Sequence, residues 1–152
     1  MIDKQAKASR ARELFLEGYN CAQAIAGAYA GELGMEEKRA MRLASGFGAG
    51  MGGLRGVCGA ISGMLLVYSA VRGYDEAADT EGKKRLYASE QAMVKRFTGA
   101  FETLHCRELL KRAGIEAAGT PSERTPEYYK KRPCVRYIEA CAGILADALN
   151  EP

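Results

Sequence analysis

Apolar positions recur at helical spacing along most of the chain, and glycines and capping residues mark where each run stops. A first helix is predicted over residues 3–17, with Gly18 as its stop. A second opens at Asn20, a good N-cap with Gln23 three residues on, and runs to near Gly34. A third starts about Glu36 and carries Ala40, Ala44 and Phe47 on one side. Residues 46–56 then dissolve into glycine, too flexible to hold a helix firmly. A fourth helix begins near Cys58 and stays apolar almost all round through Val71, which places it at the centre of a bundle. The fifth spans about 77–100, with Leu86, Met93, Phe97 and Phe101 spaced seven, four and four. A short sixth follows Thr103 as its N-cap. Residues 114–133 lose the pattern and hold three of the four prolines, as functional or mobile segments do. The last helix carries Val135, Ile138, Ala142, Leu145 and Leu149.

Composition agrees. Alanine, the best helix former, occurs 25 times, against 16 for Val, Ile and Thr together. The expected fold is all-α: one compact bundle of about six to seven helices over residues 1–152, with a glycine-rich loop before a central buried helix. A net charge of +3 argues for neither a nucleic-acid nor a membrane-surface protein. The longest apolar stretch, 57–71, is shorter than a bilayer span and is interrupted by glycines and serines. The first residues show no signal-peptide core, so a cytoplasmic location is expected, where five cysteines would not be permanent bridges.

Four of those cysteines, Cys21, Cys58, Cys106 and Cys134, fall at the predicted beginnings of helices. Unpaired N–H groups and the positive end of the helix dipole favour thiolate there, so these residues are candidate nucleophiles or metal ligands. Small hydrophobic packing is the alternative use of each, and the more natural one for Cys141, which lies in mid-helix. Gaps of 37, 48 and 28 residues leave no Cys-x-x-Cys pair, so a common site requires four helix starts to meet.

The runs Gly18-Tyr19-Asn20-Cys21-Ala22-Gln23, Gly46-Phe47-Gly48-Ala49-Gly50-Met51-Gly52 and Cys58-Gly59-Ala60-Ile61-Ser62-Gly63, followed by Cys106 and Cys134, resemble the C_GCAxxG_C_C family over residues 10–146. That resemblance implies a small bacterial or archaeal protein classed as redox-active, with Cys21, Cys58, Cys106 and Cys134 as the family's four cysteines. Cys141 stands outside the pattern.

Three readings follow. The first is thiol–disulfide chemistry at one site formed by the four cysteines. Cys58 is its expected nucleophile, having both a helix start and the glycine-run N–H groups beside it. The second is an electron carrier whose four thiolates hold an iron–sulfur cluster, or a structural zinc site with the same ligands. The third is a non-catalytic helical interaction module. Gly48, Gly50 and Gly52 are candidates for binding a cofactor or cradling a thiolate, although tight packing would use them equally well. Gly48 to Gly53 also fits Gly-x-Gly-x-x-Gly, but no strand precedes it, which argues against a dinucleotide site. His105 adjoins Cys106 and could take its proton or serve as a ligand, yet helical neighbours point about 100° apart, and an ordinary surface or capping histidine is the more natural reading. Arg55 reads as a solvated loop residue or as a positive charge near Cys58. Residues 111–136 carry a local charge of +4, read as a solvated loop or as a steering patch for an acidic redox partner protein. A homodimer is expected of so small a bundle.

Overall fold

The computed structural model describes residues 1–152 and is all-α. Nine α-helices follow one another: α1 Lys4–Leu16, α2 Cys21–Ala28, α3 Ala30–Leu33, α4 Glu37–Ala44, α5 Gly59–Arg72, α6 Thr80–Phe101, α7 Cys106–Arg112, α8 Pro126–Lys131 and α9 Cys134–Asn150. No strand forms, and the only β-type pairing is an isolated bridge between Val57 and His105. No helix is long and apolar enough to cross a membrane.

Local chemistry explains most boundaries. Asp3 caps α1 by accepting from Ala6 N at 3.0 Å, and Gly18 turns the chain at φ 110°. Asn20 and Gln23 form a full capping box at the start of α2, with Asn20 Oδ1 accepting from Gln23 N and Gln23 Oε1 from Asn20 N. The second expected helix is in fact two. It breaks at Tyr29, whose buried ring donates its hydroxyl to Ala142 O at 2.6 Å. Phe47 does not continue the buried side of α4, because a 3₁₀ turn at Ser45–Phe47 leaves it 37% exposed.

The glycine run winds the other way. Ala49, Gly50, Met51, Gly52 and Gly53 all have positive φ, a short left-handed turn that L-residues resist. A Cβ on Gly50 would lie 2.5 Å from Arg55 Cα, so the loop also closes tightly on itself.

Helix α5 occupies the middle, packed on α2, α6 and α9. Its contact with α2 is nearly backbone to backbone: a Cβ on Gly63 would sit 3.0 Å from Ala22 O. Contacts between Ile2 and Asn150, Lys4 and Asp147, and Arg12 and Glu139 run in opposite senses, so α1 and α9 are antiparallel. The main core joins residues from Ala11 to Leu149, while five alanines (Ala22, Ala26, Ala30, Ala40 and Ala44) fill the space between α2–α3 and α4. The segment without pattern contains α8, capped by Thr125 with Pro126 at its first position.

Candidate functional site

The structure sets each of the four cysteines at a helix start. Cys21, Cys106 and Cys134 are the first residues of α2, α7 and α9, and Cys58 is the N-cap of α5. His105, not Thr103, is the N-cap of α7. Backbone contacts bring these starts together. Cys58 N donates to Leu104 O at 2.8 Å, and Cys106 N to Gly56 O at 2.6 Å, so the chain before α5 lies along the chain before α7. Gly59 permits α5 to meet α2 at Cys21, where an added Cβ would come within 3.2 Å of Cys21 Cβ. All four cysteines line one cavity of about 520 Å³, as do Gly48, Gly50 and Gly52. All five cysteines are free thiols.

Cys141 is fully buried in mid-helix and lies outside the cavity wall, as does the exposed His105. No three His, Cys, Asp or Glu side chains are grouped as ligands around a point that a metal ion could occupy. The iron–sulfur and zinc expectations for Cys21, Cys58, Cys106 and Cys134 therefore lack that geometry in the present arrangement.

Electrostatics separate the thiols sharply. Cys134 is held below the ordinary thiol range, first by interaction with the Cys21 thiol and then by Arg132, Arg124 and Arg55, against the cost of burial. Cys21 is the other half of that pair, pushed well above the ordinary range as it shares its proton with Cys134. Cys58 is pushed up to about 12 by burial, which outweighs N–H donation from Ala60 and Ile61. Burial, with a smaller contribution from Cys58, pushes Cys141 well up. A helix start is thus not sufficient to favour thiolate: burial holds Cys58 protonated, while the Cys21–Cys134 pair shares a proton beside three arginines, which draw Cys134 downward. The donors reaching Cys58 belong to the first turn of its own helix, not to the glycine run. What the run needs glycine for is left-handed backbone and close approach.

Three arginines complete the wall. Arg55 is buried, at 7% exposure, and adopts φ 59°, a backbone state costly for any residue with a Cβ. Its Nε donates to Ala118 O at 2.8 Å and its Nη1 to Cys106 Sγ at 3.6 Å. This is no solvated loop arginine. Arg124 lies over the rings of Phe15 and Tyr128, 4.6 and 4.7 Å from their centroids, and donates to the carbonyls of Phe15 and Tyr19. Arg132 covers the other ring contact of Tyr128 at 4.8 Å and bonds Ser122. The basic segment 111–136 therefore sends two of its charges into the cavity wall.

The family model described as "putative redox-active protein (C_GCAxxG_C_C)" matches residues 19–148. The chain belongs to that family. The matched span includes all four cysteines and the glycine turn. Among curated proteins and solved structures, nothing matches the chain. Of the two readings the sequence left open for Arg55, the structure selects the positive charge at the cysteines, whereas the inward roles of Arg124 and Arg132 were passed over. The aromatic pair Tyr128-Tyr129 between Arg124 and Arg132 was the available signal, since arginines interleaved with tyrosines stack rather than dissolve.

Proposed function

We propose that this redox-active protein is a thiol–disulfide exchange protein in which Cys134 is the attacking thiolate and Cys21 the resolving thiol. The observation that carries the reading is geometric: the Cys21 and Cys134 thiols are hydrogen-bonded to each other in one cavity lined by Arg55, Arg124 and Arg132, and those three arginines draw Cys134 downward. Such a pair stores one proton and presents one nucleophile.

The Cys134 thiolate attacks one sulfur of a substrate disulfide R–S–S–R′, forming a Cys134–S–S–R mixed disulfide and releasing R′–S⁻. The Cys21 sulfur then attacks the Cys134 sulfur, and its proton passes to the departing R–S⁻. The protein is left with a Cys21–Cys134 disulfide, and the substrate has gained two electrons. An external dithiol returns them. Arg55, Arg124 and Arg132 hold negative charge at sulfur during both displacements. Cys106 beside Arg55 is a further thiol within the same wall, and Cys58 is kept protonated.

Anaerobic oxidation of the metal-free protein with a small neutral disulfide, followed by peptide mapping, tests this directly. The expected product has lost two reactive thiols, joined as Cys21–Cys134, and recovers them with dithiothreitol. A brown protein carrying iron and sulfide in equal amounts, or no disulfide involving Cys134, would overturn it.

A further inference from the structure

The charge of the cavity wall points to what enters it. Three guanidinium groups face the space around the cysteines, while no Asp, Glu or Lys side chain lines it. None of the three arginines meets a carboxylate within ion-pair distance, although ten such pairs occur elsewhere on the molecule. Arg55 is the sharpest case: buried, strained in its backbone, and hydrogen-bonded only to a carbonyl and the Cys106 sulfur. A Cys134 thiolate offsets at most one of the three positive charges; leaving the others uncompensated in a partly buried site is expensive, and a bound anion reduces that expense. The starts of α2, α5 and α9 add their positive dipole ends at the same place.

Size and access narrow the class. A cavity of about 520 Å³ is within the range of small-molecule sites. Cys134 is 8% exposed and Cys58 4%, so both are reached through the cavity, which favours a small disulfide over one on the face of another folded protein. We infer that the cavity receives a small disulfide bearing carboxylates, its negative groups held by Arg55, Arg124 and Arg132 while one of its sulfurs meets Cys134. This inference rests on the exchange chemistry proposed above and names the substrate class for the same site.

The test uses three small disulfides of similar size and opposite charge: 3,3′-dithiodipropionate (anionic), 2-hydroxyethyl disulfide (neutral) and cystamine (cationic). In each reaction the Cys134 thiolate displaces one half of the reagent as a thiolate, and the mixed disulfide is counted by intact mass. A free cysteine thiolate, itself negative, reacts fastest with the cationic reagent. The protein is expected to reverse that order, the anionic reagent leading the cationic by about tenfold or more at low salt. The lead should shrink with added salt and in Arg132→Gln, a half-exposed position that can lose its charge without unfolding the chain. Taking the ratio between reagents removes any change in how readily Cys134 ionises. If the neutral reagent forms the Cys21–Cys134 disulfide but the order stays that of free cysteine, this inference fails and the exchange chemistry stands. If no reagent oxidises the pair, both fail.

Discussion

Cys134 and Cys58 occupy equivalent addresses, each at the start of a long helix, and the surroundings drive them apart. Burial governs Cys58, whereas a proton-sharing neighbour and three guanidinium groups govern Cys134. Removing the neighbour should therefore show. In Cys21→Ala, the pH at which Cys134 becomes alkylatable should move upward, read as iodoacetamide rate against pH with peptide-level mass spectrometry; an unmoved profile would mean the arginines act alone. The left-handed turn makes a second claim at single residues. Gly50→Ala should cost about 2 kcal/mol or more, since its Cβ would meet the backbone of Arg55. Met51→Gly should be neutral or stabilising by up to about 1 kcal/mol, because exposed Met51 adopts φ 76°. Urea unfolding of both variants checks the pair.

Helix starts are what the elements contribute. The Asn20–Gln23 box fixes the entry of α2, and Asn20 Nδ2 also donates to Ser45 O at 3.0 Å, tying that entry to the turn before the glycine run. Asn20→Ala is expected to cost between about 1 and 2 kcal/mol in urea unfolding and to loosen the position of Cys21. This cap was legible in the sequence, as were Gly18, the central α5 and the stripes of α6 and α9, because each is written in residues a few places apart. Helix α8 was legible in principle too, from Thr125 followed by Pro126, but the surrounding prolines and missing apolar stripe hid it. The seat of Arg55 was not. It depends on residues 55–58 lying along residues 104–107, a pairing of segments about fifty positions apart that leaves no local trace. Ionisation order was equally hidden, since it follows from burial and from which thiols end up adjacent.

At the scale of the whole molecule, the cavity is formed by parts drawn from nearly the entire chain, from Gly18 to Tyr137, and the helices at the two ends of the chain are tied together by charge. Lys4 on α1 and Arg96 on α6 both pair with Asp147 on α9, which holds that carboxyl below the usual range, with Lys4 the larger cause. A carboxyl lowered in the folded state adds stability above its unfolded value and loses it as pH falls through the folded one. Thermal melting between about pH 6 and pH 3 should therefore show a shallower acid limb in Asp147→Asn than in the parent chain. The most direct test of the account reads all five thiols at once. The folded, reduced protein is alkylated with isotopically paired iodoacetamide across a pH series, and each cysteine is quantified by peptide. Cys134 should react first, with its midpoint below the ordinary value of about 8.5, while Cys58 and Cys141 stay unmodified until denaturant is added. Equal rates at all five positions, or Cys58 reacting ahead of Cys134, would contradict it.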